Sequence, residues 1–184
     1  MITKQPIYNQ SWLNCIQSSA HADSWVHNVI RDINGNGGVY LSILQEWYST
    51  YPFPSNDKKT HMRKLLESST NNDHRGAVNE LCWYRFMCDL ALNPKVMPES
   101  SNKTPDFLCA TATGVEFYCE VTTLNESDVD TKSIASNGSA LLNQEAEILR
   151  IIRKAGVEKA EQLQYGRERQ KGMAFVVFDY STFS

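Results

Sequence analysis

Two carboxylates, Asp106 and Glu120, stand fourteen positions apart in a stretch of this 184-residue chain that reads as a tight β-hairpin. Residues 104–111 (TPDFLCAT) read as one short strand and residues 115–123 (VEFYCEVTT) as a second, with Ala112-Thr113-Gly114 between them. A three-residue loop ending in a left-handed glycine is a common hairpin connection. That loop pairs Thr111 with Val115, and counting back sets Asp106 opposite Glu120. Directly opposed residues share a face, with Cβ atoms roughly 4.5–5.5 Å apart, and like charges there repel. A divalent cation between the two would relieve the repulsion, and oxygen-only ligation suits Mg²⁺ or Mn²⁺ better than zinc. The alternative is a surface hairpin carrying two solvated acids.

The elements that must position these acids follow from periodicity. On the second strand Val115, Phe117, Cys119, Val121 and Thr123 alternate with Glu116, Tyr118, Glu120 and Thr122. A slip of one residue would exchange the two sets between faces, so the register is well specified. Upstream, residues 75–92 read as a helix, with Asn71, Asn72 and Asp73 offering caps and Asn93-Pro94 ending it. At helical spacing Glu80 shares a stripe with Ala77, Tyr84, Met87 and Ala91, along an apolar face. Glutamate is rarely buried unpaired. Glu80 is therefore either bonded to a backbone amide or a tyrosine hydroxyl, or is a third acid reaching the same pocket.

The ordered set of motifs resembles the PD-(D/E)XK nuclease superfamily, whose fold is restriction-endonuclease-like. The matching residues are Ala77 to Leu81 on the helix, Pro105-Asp106-Phe107 on one strand, and Phe117-Tyr118-Cys119-Glu120-Val121-Thr122 on the next. The likeness is closer to a branch of uncharacterised bacterial members with an aromatic-rich strand ending in Glu-x-Thr. It implies an α/β fold, an αβββαβ core with a mixed central sheet, over residues 71–184, with a helical N-terminal addition over residues 1–70. The expected elements are the helix at 75–92, a short strand near 95–98, the hairpin, a long helix over about 139–164 and a last strand at 172–180. Within that strand Met173 to Phe178 is a continuous apolar run of the kind buried on both faces.

The same likeness implies a divalent-metal-dependent nuclease hydrolysing phosphodiester bonds, of DNA before RNA, while the unpaired cysteines and a start without a signal-peptide apolar region suggest the cytoplasm. Asp106, Glu120 and the carbonyl of Val121 would hold Mg²⁺ or Mn²⁺, with Glu80 completing the shell or a second site. One position departs from the pattern. The motif lysine, two residues after the second acid, is here Thr122. Members of the superfamily can supply the lysine from a neighbouring element. On the long helix an apolar stripe runs through Leu141, Ile148, Ile152, Ala155 and Leu163, and Lys159 falls on it, with Gln162 close to the same face. Lys159 is thus the candidate catalytic lysine, and Thr122 and Gln162 are candidate substrate contacts. The alternatives are a lysine with a buried stem and solvated head and, for the whole protein, an inactive nuclease fold used for nucleic-acid binding or assembly. A homodimer and a further C-terminal part are both compatible with the resemblance.

Composition sets the remaining bounds. Hydrophobic content of 41% and charged content of 21% describe an ordinary globular chain. A net charge of −3 does not advertise a polyanion partner, so local patches would have to make phosphate contacts. The basic run Lys58-Lys59-Thr60-His61-Met62-Arg63-Lys64 is the best such patch, although basic runs of this length are common and more often form a solvated helix face. No apolar run is long enough to span a membrane. The five cysteines lack paired spacing and read as reduced packing residues. The four histidines lack metal-ligand spacing and sit in polar contexts. The polar segment 125–139 reads as a lid or substrate-contact loop.

Overall fold

The hairpin forms the centre of the described sheet. In the computed structural model, which describes residues 7–18, 25–98, 104–123, 149, 151–160, 164, 168 and 173–179, strand β1 (Lys95–Val96) pairs antiparallel with β2 (Phe107–Ala110). Strand β2 pairs antiparallel with β3 (Glu116–Thr123), and β3 pairs parallel with β4 (Met173–Asp179). The sheet is therefore mixed, in the order β1-β2-β3-β4, and the protein is α/β. Phe107 faces Cys119 and Cys109 faces Phe117, which is the register expected from the loop. Thr111 N–H donates to the Val115 carbonyl at 2.9 Å, and Gly114 takes φ +82°, the left-handed conformation that a side chain would resist.

Among the described residues five helices precede the sheet: α1 (Gln10–Ser18), α2 (Trp25–Arg31), α3 (Asn36–Thr50), α4 (Asn56–Leu66) and α5 (Asn71–Asp89). Helix α4 starts at Ser55, whose side chain accepts the Lys58 N–H. With Asp57 in its first turn and Arg63 and Lys64 in its last, its charges complement the helix dipole. Helix α5 begins at Asn71 rather than Arg75. It stops at Asp89 because Ala91 and Asn93 adopt positive φ and Pro94 follows.

The core lies between α5 and one sheet face. Ala77, Leu81 and Met87 of α5 cluster with Phe107, Cys109 and Cys119. The same cluster contains Ile7, Leu44, Tyr48, Tyr51, Met62 and Leu66, so α3 and α4 share one interior with the sheet, while Ile16 of α1 and Val26 of α2 pack with Leu41 in a second cluster.

Several expectations are corrected. Strand β4 is an edge strand of the described sheet, with Met173 and Phe175 exposed; it is not buried on both faces. Cys15, Cys82 and Cys88 are exposed, and only Cys109 and Cys119 are packing residues. His74 is fully buried, held between the Tyr40 hydroxyl at 2.9 Å and the Leu66 carbonyl at 2.8 Å. The expected helix over 139–164 is interrupted. Residues 151–153 are α-helical, but Lys154–Glu158 form a π turn, and Ile152 is 60% exposed rather than core-facing. Leu141, Ile148, Leu163, Gln162 and the segment 125–139 lie outside the described residues. Among the described residues no helix is long and apolar enough to cross a membrane.

Candidate active site

Asp106 immediately precedes β2, and the β2–β3 register continues to place it opposite Glu120. The Val121 amide donates to Asp106 Oδ2 at 2.8 Å, which holds the carboxylate against the neighbouring strand. A strand residue's N–H and C=O leave by the same edge, so the Val121 carbonyl faces the Asp106 side as well. Glu120 is 2% exposed. Its Oε1 accepts from the Lys159 ammonium at 2.5 Å, while its buried Oε2 has no hydrogen-bond partner. Leaving a buried acceptor unsatisfied costs about 1–3 kcal/mol, more for a charged group. Glu120 is buried, Asp106 is half-buried, and the pair is not fully hydrogen-bonded, so the solvated-hairpin alternative falls.

Electrostatics express the same crowding. Burial pushes the Asp106 carboxyl up to about 8, helped by the charges of Glu120 and Glu80 and opposed by the Val121 amide and Lys58. Burial also raises Glu120, against the Lys159 hydrogen bond and charge and the Asp106 backbone amide. Each group resists ionising while the other is charged, so the pair titrates as a unit.

Glu80 approaches from α5 and acts on both acids. Its Oε1 accepts from the Tyr51 hydroxyl at 2.5 Å. The Lys58 ammonium lies 3.4 Å from Oε1 and 3.5 Å from Oε2. The tyrosine-hydroxyl reading of Glu80 is therefore realised, and the residue nevertheless belongs to the same cluster. Tyr51 is positioned by rings: Tyr84 sits edge-on to it at 4.9 Å, Phe53 lies at 4.8 Å, and Tyr84 in turn packs on Phe107 at 6.1 Å. Burial and Glu80 both push the Tyr51 phenol upward.

The lysine arrives as expected but by a different route. Residues five apart sit about 140° apart around an α-helix, at about 100° per residue. In the π turn the ladder closes over five residues, with Lys159 N–H donating to the Lys154 carbonyl at 3.0 Å. Lys154 and Lys159 are thereby brought to one side of the turn. Lys159 reaches Glu120, and the Lys154 ammonium donates to the Thr123 carbonyl at 2.5 Å. Asn79 of α5 donates to the Thr123 hydroxyl at 2.7 Å, so the end of β3 is tied to α5 and to the π turn. Thr122 is buried on Glu120's side of β3 by alternation, and its role as a substrate contact would need access that the side chain lacks.

Sequence reasoning missed Tyr51, Lys58, Asn79 and Lys154. The basic run containing Lys58 is visible in the sequence as a phosphate-contact patch or a solvated helix face; side-chain exposure of 14% places Lys58 inside the cluster instead. Nothing local marked Asn79 or Lys154.

Among the described residues no group of three or more His, Cys, Asp or Glu side chains is arranged to hold a metal ion. This agrees with Glu80 being engaged by Tyr51 and Lys58. The donors that fit a hard cation are Asp106, the partnerless Oε2 of Glu120 and the Val121 carbonyl. Comparison with family models, curated proteins and solved structures gives no match.

Proposed function

We propose that the protein is a divalent-metal-dependent nuclease with a restriction-endonuclease-like core, acting on phosphodiester bonds of DNA. The observation that carries this reading is the buried Glu120 carboxylate, with one oxygen on the Lys159 ammonium and the other without a partner, opposite Asp106. Asp106, Glu120 and the Val121 carbonyl would hold Mg²⁺ or Mn²⁺. Such an ion would supply Lewis-acid polarisation of a phosphoryl oxygen and a bound water of lowered pKa. The chain's own residues do the rest. Val121 N–H fixes the Asp106 carboxylate, Lys159 orients Glu120 and offers a positive charge beside the reacting phosphate, and Lys58 and Tyr51 hold Glu80. Lys159 supports hydrolysis over a silent fold, because an ammonium does enter the pocket from outside the motif.

A second reading is favoured by one observation. Two of the three carboxylates already have lysine counter-ions, which is how a site that has given up metal would be stabilised. It would then serve as a binding or assembly module. Cleavage of plasmid and single-stranded DNA decides between them. Activity should require Mg²⁺ or Mn²⁺, vanish with EDTA, and be lost in Asp106→Asn and in Glu120→Gln. Metal-independent cleavage surviving both substitutions would refute the nuclease mechanism, and absence of cleavage and of metal binding would establish the silent module.

A further inference from the structure

We propose that the Lys58 ammonium stands where a second metal ion would be. The pocket takes one divalent cation, at Asp106 and Glu120, and Lys58 is its built-in second cation over Glu80. This rests on the metal-centre reading above and specifies how many ions that centre accepts. Both oxygens of Glu80 lie within 3.5 Å of Lys58 Nζ, and Oε1 also takes the Tyr51 hydroxyl. In two-metal sites the ions sit about 3.5–4 Å apart and share carboxylates, so a second ion would need Glu80, and Glu80 is taken. The Lys58–Glu80 pair is also unlike a surface ion pair. Each side chain is 14% exposed, which limits screening by water and salt. Lys58 is delivered by a helix start that the Ser55 cap and the Tyr51–Phe53–Tyr84 rings fix in place.

Charge balance points the same way. Once a divalent ion holds Asp106 and Glu120 in their charged forms, Glu80, Asp106 and Glu120 contribute −3 and Lys58 and Lys159 contribute +2, which leaves −1 before the ion itself is counted. One divalent ion changes this to +1, the complement of a single phosphodiester. Two divalent ions would leave +3 and no carboxylate to hold the second.

The test counts ions directly. Mn²⁺ binding to the intact chain, followed by the electron paramagnetic resonance signal of the free ion, should give one ion for the wild type. Lys58→Met should admit a second, weaker ion by releasing Glu80, and Lys58→Met with Glu80→Gln should return the count to one. Lys58→Arg should keep one ion. Asp106→Asn should weaken the wild-type ion at least tenfold. Two ions in the wild type, or one ion in Lys58→Met, would overturn the proposal while leaving the metal centre standing. No bound Mn²⁺ in the wild type would overturn the metal centre and the proposal together. Circular dichroism establishes that each variant is folded, and Lys58→Gln replaces Lys58→Met should the latter fail to fold.

Discussion

Asp106→Asn should make the metal-free protein more stable at alkaline pH, although the substitution removes a residue of the candidate active site. The Asp106 carboxyl is raised from 3.8 to about 8 in the folded chain. Below pH 3.8 both folded and unfolded chains hold this proton. Between 3.8 and 8 the folded chain keeps it and the unfolded chain loses it, so stability falls as pH rises, by about 1.4 kcal/mol per unit at most. The whole window sets a ceiling on the order of 5 kcal/mol. Asp106 keeps some solvent exposure and shares its titration with Glu120, so about 2 kcal/mol is the portion expected to appear. Asparagine preserves the oxygen that accepts the Val121 N–H and cannot ionise. At pH 8 the variant should therefore melt about 4–8 °C above wild type, given about 2–4 °C per kcal/mol for a chain of this size. At pH 5 the gap should shrink to roughly a quarter to a third of that. His74, which burial lowers, destabilises both proteins equally as pH falls and cancels in the difference. Calorimetry from pH 5 to 8.5 in EDTA reads the effect. Adding Mn²⁺ should narrow the gap by at least about 1.3 kcal/mol, since wild type gains about 2.7 kcal/mol at 100 times its Kd and a variant that binds at least tenfold more weakly gains at most about 1.4 kcal/mol. An Asp106→Asn protein no more stable than wild type at pH 8 would refute the buried, mutually repelling pair.

Further outcomes follow from the other contacts. Lys159→Met leaves Glu120 buried without its counter-charge and should cost about 3–5 kcal/mol without metal, read by urea melts. Mn²⁺ should restore much of that loss while cleavage falls at least about 100-fold; wild-type-like cleavage would remove Lys159 from the mechanism. Tyr51→Phe deletes a hydrogen bond to a charged group and should cost about 1.5–3 kcal/mol, with Mn²⁺ affinity at Asp106 and Glu120 nearly unchanged in titration calorimetry. A large drop in that affinity would mean that Glu80 is itself a ligand.

What was legible in the sequence was local. The loop Ala112-Thr113-Gly114 and the alternation from Val115 to Thr123 fix the hairpin register, and both are properties of adjacent residues. Asp106 opposite Glu120 follows without any tertiary information. Glu80 was half legible: its place on an apolar stripe showed that it needed a partner, but not that the partner was Tyr51. The chain between them contains all of α4, and no periodicity crosses such a break. Lys58 was hidden for a related reason. A lysine at a helix start can extend into solvent or fold inward over its own stem, and only the carboxylate brought up by α5 decides which.

Lys159 shows how a sound conclusion can rest on an incomplete premise. The stripe through Ile152 and Lys159 assumed an unbroken α-helix, in which an inward Lys159 would carry Ile152 inward with it. The π turn separates the two residues, leaving Ile152 exposed and Lys159 on Glu120. It also turns Lys154 to the end of β3. Such turns are rare, and they frequently sit at functional sites. Here two ammonium groups gain partners on β3 that a regular helix could not give to both. The acids Asp106 and Glu120 are near neighbours because of hairpin register alone. The lysines near them come from α4 on one side and the π turn on the other, so the positive charge that the motif position Thr122 lacks is supplied by elements flanking the hairpin in the chain.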